Sequence, residues 1–252
     1  MKKQRILWGL SLLLMLAGVA FGQVDRSGEV AALMKGLEST SRSARIDAAK
    51  RITQAGLTDG ALYDRVAALL QAGYGEAVEA HAVDEMAWLC KALAASGDAR
   101  HQPLLEEVAT QAPNVKLQKY ARQSIDSFAE YQERIRVLNT TSGWNAALTA
   151  EENRLVGMLG AENAELKRDA AKTIVRDSPV AEAVYDAAAS ALSGMLAAGN
   201  LDNLSVDTMA WLCKALGASG NGKYRGTLQT VAQKAPHRKL QKYAQQSLGQ
   251  LR

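Results

Sequence analysis

Cys90 and Cys213 are the chain's only thiols, and His81, His101 and His237 its only imidazoles. Thiols can close a disulfide, attack a substrate or join histidines around a metal, and the spacing here argues against each. The two cysteines occupy the same place in two copies of one segment, each mid-helix beside Leu89 or Leu212. Stacked copies keep equivalent positions a whole copy apart, beyond the ~7 Å between α-carbons that a disulfide spans. A secreted chain invites a disulfide, but the positions favour two separate buried thiols that pack as small hydrophobes. No histidine pairs with a cysteine or another histidine at ligand spacing, so no metal is expected. There is no nucleophile elbow and no glycine-rich phosphate loop, so no catalytic residue, no cofactor and no enzymatic activity are expected.

The remaining candidates are aromatic. Trp88 with Tyr120, and Trp211 with Tyr243, offer rings on which a ligand can stack. Their presence in both copies at helical spacing fits a shared core role better, beside Cys90 and Cys213.

The segment holding these residues occurs twice. MAWLCKALAASGD at Met86–Asp98 returns as MAWLCKALGASGN at Met209–Asn221, and 24 of the 43 positions from Met86 to Phe128 are identical at an offset of 123. The earlier half matches at an offset of 122, where Asp47-Ala48-Ala49-Lys50 returns as Asp169-Ala170-Ala171-Lys172. The chain is a tandem duplication.

Every element predicted is helical. Apolar and small residues fall three and four apart in Met86, Leu89, Leu93 and in Leu117, Ala121, Ser124, Ile125, Phe128, which lines one helix face. Ser41 or Ser43 and Asp59 are candidate N-caps. Gly56, Gly97 and Gly220 are stops, because glycine tolerates the left-handed conformation that ends a helix. Pro113 and Pro236 sit between one helix and the next. Six helices per copy are predicted, the last of the first copy running from Asn114 to about Asn139. The second copy's helices are expected near Glu151–Leu159, Glu165–Arg176, Val180–Ala197, Val206–Ala218, Tyr224–Gln233 and Arg238–Leu251. No β-branched alternation appears, and no sheet is predicted.

Lys2, Lys3 and Arg5 precede an apolar run from Ile6 to Phe21, the layout of a secretory signal peptide over residues 1–22, cut before Gln23. The run is shorter than the roughly 20 residues of a spanning helix, and no later stretch is apolar enough to span. A periplasmic or secreted protein is expected. Without that segment, 27 bases face 26 acids. The expected organisation is a first copy at 27–139, a connector at 140–148 and a second copy at 149–252.

The second helix of each pair carries small or apolar residues four apart: Ala48-Ala49 with Ile52, Leu89 with Leu93, Ala121 with Ile125. Asp98-Ala99-Arg100 and Pro103-Leu104-Leu105 continue the pattern. In these residues the chain resembles the HEAT family of helical repeats, over almost all of Glu29–Leu251, as about three repeats per copy. The resemblance implies an all-α fold, a right-handed α-solenoid (armadillo-like) of stacked helical hairpins, each contacting its neighbours. It also implies a concave surface, lined by the second helix of each pair, that binds other molecules.

One asymmetry separates the copies. After Asp207 no acidic residue remains, while Lys214, Lys223, Arg225, Lys234, Arg238, Lys239, Lys242 and Arg252 supply eight positive charges. The basic end reads equally as a solvated cap and as a patch for an anionic partner. The leading expectation is a secreted interaction scaffold for a protein or peptide partner, the basic end favouring an acidic one. The alternatives are binding of an anionic envelope component, phospholipid headgroup or acidic polysaccharide, and a non-catalytic subunit of an enzyme complex. Nucleic acid fits less well, because secretion removes the chain from most of it.

Overall fold

The computed structural model of the chain describes residues 25–179 and 181–252; the expected signal segment lies outside them. The described residues form thirteen α-helices and three short 3-10 turns, with no strand among them. The helices are α1 (Ser27–Leu37), α2 (Arg42–Ala55), α3 (Gly60–Gly73), α4 (Ala80–Ala94), α5 (Gln102–Gln111), α6 (Val115–Asp126) and α7 (Phe128–Asn139). The second copy supplies α8 (Ala150–Gly160), α9 (Ala164–Asp177), α10 (Glu182–Ala198), α11 (Asn203–Ala218), α12 (Arg225–Lys234) and α13 (Arg238–Leu248). The fold is an all-α solenoid built by duplication. Six helical hairpins, α1–α2, α3–α4, α5–α6, α8–α9, α10–α11 and α12–α13, stack as two sets of three, with α7 between the sets. The second helices pack on one another as α2–α4–α6 and α9–α11–α13.

Local chemistry sets the helix ends. The Ser41 hydroxyl accepts from Ala44 N, Asp59 from Leu62 N at 2.8 Å, and Asn163 from Glu165 N at 2.7 Å. Thr149 and Glu152 form a reciprocal capping box. Asn114, which caps α6, becomes His237 in the second copy, and its Nδ1 accepts from Lys239 N at 3.1 Å. Gly56, Gly97 and Gly220 adopt φ of 58°, 60° and 63°, the left-handed stop that suits glycine. At Gly56 space is short as well, since a β-carbon would come within 2.7 Å of Leu138 Cδ1.

The helix expected from Asn114 to Asn139 is two helices. Ser127 (φ −86°, ψ 1°) closes α6, its hydroxyl donating to Gln123 O at 3.0 Å. The break redirects the chain so that Phe128 and Tyr131 pack on the first hydrophobic core while Leu138 enters the second. The α7 helix bridges α6 and α8. Residues after it are held by the buried Asn153, whose amide donates to Asn145 O, Leu148 O and Thr149 O and whose oxygen accepts from Asn145 N.

Each copy has its own core. Leu62, Leu70, Leu89, Leu93, Leu105 and Leu117 are fully buried in the first, Leu166, Ile174, Leu212, Leu228 and Leu240 in the second. Such side chains contribute roughly 1.5–3 kcal/mol each. Small residues set helix separation. Gly217 stands where the first copy has Ala94, and a β-carbon there would lie 2.9 Å from Ser247 Cβ, so α13 sits directly against α11.

Candidate functional site

The layer made by the second helices carries a repeated arrangement of cations over rings. In the first copy the ammonium of Lys50 lies 5.2 Å from the Trp88 ring centre and that of Lys91 lies 4.6 Å from it. Lys91 and Lys116 stand 5.6 and 5.8 Å from the ring of Tyr120. In the second copy Lys172 and Lys214 stand 5.6 and 4.0 Å from Trp211, and Lys214 stands 4.6 Å from Tyr243. These separations fall within the range over which a ring's quadrupole attracts a cation. None of these five lysines forms a salt bridge among the described residues.

The expectation that Trp88, Tyr120, Trp211 and Tyr243 are buried core residues is therefore corrected: all four are only partly buried. Leu89, Cys90 and Leu93 fill the space between helices, and Trp88 lies on the neighbouring stripe with Asp84 and Lys91. That stripe was visible in the spacing, since Asp84, Trp88 and Lys91 follow at four and three residues. The cysteines are core residues. Both are free and fully buried, and burial pushes each thiol from 9.0 up to about 12.

The basic end is divided. Lys223 bridges Glu182 and Asp186 at 2.5 and 2.6 Å, so acids of α10 hold it. Lys239 reaches Asp207 at 3.2 Å, Arg225 donates to Leu251 O at 3.3 Å, and Lys214 belongs to the ring ladder. Lys234, Arg238 and Lys242 remain exposed and have no ion-pair partner among the described residues.

The two copies meet in a groove of about 570 Å³ lined by α2, α4, α6, α7 and α9. Trp88 and Lys91 enter it from the first copy and Lys172 from the second. Arg134 of α7 forms its wall and donates to Asp169 of α9 at 2.7 Å; Arg168 pairs with Glu165 at 3.1 Å. The lining also holds Asp126 and Glu130, so four acids balance four bases. Burial, and secondly the charge of Glu165, raises the Glu130 carboxyl above its ordinary 4.5. Sequence reasoning missed this groove, because its residues come from both copies and from a helix break that spacing did not reveal.

Among the described residues no group of three or more His, Cys, Asp or Glu is placed to hold a metal ion, and no helix is long and apolar enough to cross a membrane. No protein-family model matches the chain, and no curated protein matches it. Solved structures do. Human deoxyhypusine hydroxylase in complex with glycerol is similar over 88% of this chain and 84% of its own, with 16% identity and a TM-score of 0.35. An engineered protein is similar over 88% of this chain and 96% of its own, with 17% identity and a TM-score of 0.31. Likenesses at that level carry no argument about activity. A helical fold does not by itself exclude catalysis, one of these two structures being an enzyme, and the expectation of a chain without enzymatic activity is withdrawn.

Proposed function

We propose that the chain is a HEAT-like helical scaffold that binds an acidic partner protein along the face formed by α2, α4, α6, α9, α11 and α13. The observation that carries this reading is the ladder of lysines over tryptophan and tyrosine, present in both copies. A ring beneath an ammonium holds it in place, so less side-chain entropy is lost when a carboxylate arrives. The same stacking covers the ring faces on which a sugar would lie, which favours a carboxylate-bearing peptide over a polysaccharide. Repetition on one array adds effective concentration for a partner that touches both copies. The basic, then apolar N-terminal segment supports a role in the periplasm or outside the cell.

The test uses the mature chain and a blocked peptide of alternating glutamate and alanine, followed by tryptophan fluorescence. Reversal of charge at Lys91 and Lys214 together is expected to weaken binding more than about tenfold, and wild-type binding is expected to fall with salt. Unchanged affinity in the double variant overturns the reading.

A second reading has its own support in Lys234, Arg238 and Lys242, which are exposed and unpaired among the described residues at the end of the array. Here the end of the array rests on an anionic lipid surface. Sedimentation with phosphatidylglycerol vesicles, lost when the three residues are reversed, supports it; sedimentation unaffected by reversal overturns it.

A further inference from the structure

The first copy closes the crevice between the end of α3 and α5 with side chains that the second copy lacks. There the Tyr74 hydroxyl donates to Glu107, and Gln71 Nε2 reaches the same carboxylate at 3.3 Å. Tyr74 and Leu104 pack on the core beneath this latch. At the offsets of the duplication the second copy has Ser193 for Gln71, Leu196 for Tyr74, Thr227 for Leu104 and Thr230 for Glu107. Every exchange removes bulk, and three of them remove the latch itself. The crevice between α10 and α12 is left as a groove of about 760 Å³, the size of a small-molecule site. Met195 and Leu196, both half-buried, and Leu201, 43% exposed, give it accessible apolar surface. No acid lines it among the described residues. Its one charge is Lys234, in the last turn of α12, exposed and without an ion-pair partner among the described residues.

We propose that this groove binds a single alkyl chain ending in a carboxylate, the chain lying along Met195, Leu196 and Leu201 and the carboxylate meeting the ammonium of Lys234. Withdrawal of the chain from water supplies the affinity, about fourfold for each methylene, and Lys234 selects the charge of the head. The first copy is latched shut and has Gln111 where the second has Lys234, so one molecule is bound per chain. The inference stands apart from the acidic-partner reading, whose lysines belong to the second helices. It shares only Lys234 with the lipid-surface reading.

The mature chain is titrated calorimetrically with octanoate, decanoate and dodecanoate, each below its micelle concentration. Binding of one molecule is expected, tightening about fourfold with each added methylene. Leu196→Tyr with Thr230→Glu installs the first copy's latch in the second and is expected to weaken dodecanoate binding more than about tenfold, by filling the groove. Lys234→Glu, at an exposed position, is expected to weaken dodecanoate binding about tenfold and leave dodecanol binding unchanged. A wild-type chain that takes up no dodecanoate overturns the inference, as does tight binding retained by the latched variant. Dodecanol bound as tightly as dodecanoate, with no effect of Lys234→Glu, overturns the carboxylate. Retention on phosphatidylglycerol vesicles without uptake of free dodecanoate leaves the lipid-surface reading standing and overturns this one.

Discussion

Arg134 Nη2 donates to Asp169 Oδ2 at 2.7 Å, and that ion pair ties the helix closing the first copy to the second helix of the next. The corresponding residue of the first copy, Asp47, is exposed and forms no ion pair among the described residues. Asp169→Ala strands a guanidinium that is almost wholly buried, and is expected to destabilise the chain by about 3–5 kcal/mol in urea unfolding. Replacing both partners by apolar residues, Arg134→Met with Asp169→Leu, is expected to recover most of that loss. A double variant as unstable as the single one would show that the pair itself holds the copies together.

The copies solve one buried position differently. Glu85 is buried and receives Arg42 Nε at 2.9 Å together with Arg45 Nε. In the second copy Thr208 takes its place, its hydroxyl donating to Ala164 O at 3.1 Å, and Ala164 and Lys167 align with the two arginines. Glu85→Thr should therefore cost about 2 kcal/mol, from lost charged hydrogen bonds and lost volume. Thr208→Glu, which buries a carboxylate with no arginine fork, should cost more, about 3 kcal/mol or above. Chemical denaturation of the two single variants decides the order.

His101 is buried beneath Tyr63, and its Nε2 lacks a partner among the described residues. Burial, and then the charge of Arg100, holds its pKa below the ordinary 6.5. Between the lowered folded value and 6.5 the unfolded chain binds the proton more readily. Stability from this residue is thus present above pH 6.5 and lost as the pH falls toward the folded value. The second copy has Tyr224 there, its hydroxyl donating to Asp186 at 3.1 Å. His101→Tyr is expected to remove this step from a plot of urea midpoint against pH; an unchanged plot would assign the acid sensitivity to other groups.

The buried thiols lead to a kinetic expectation. With Cys90 and Cys213 both pushed up to about 12, little thiolate exists at pH 8, and a disulfide reagent also lacks access. Native chain should label slowly, the rate rising with urea in step with unfolding. Rapid modification of both in the absence of denaturant would contradict the buried placement.

The repeated sequence determined what depends on residues close along the chain. The helices of Leu89–Leu93 and Leu117–Ile125 follow from three- and four-residue spacing, helix ends from Ser41, Asp59, Gly56, Gly97 and Gly220, and the division into two like copies from the repeated segments. Helix formation and termination are settled within a turn or two, so local spacing carries them. The rest was decided by residues distant in sequence. Ser127 breaks a helix because Phe128 and Leu138 belong to different cores. Trp88 and Trp211 are left only partly buried, at the edge of the cores, because Leu89, Cys90 and their counterparts already occupy the space between helices. The basic end loses Lys223 and Lys239 to acids 41 and 32 residues away. Arg134 meets Asp169 only once two copies are stacked on α7. Charge and polarity along a chain say which groups must find partners, and only packing brings a particular pair within 3 Å.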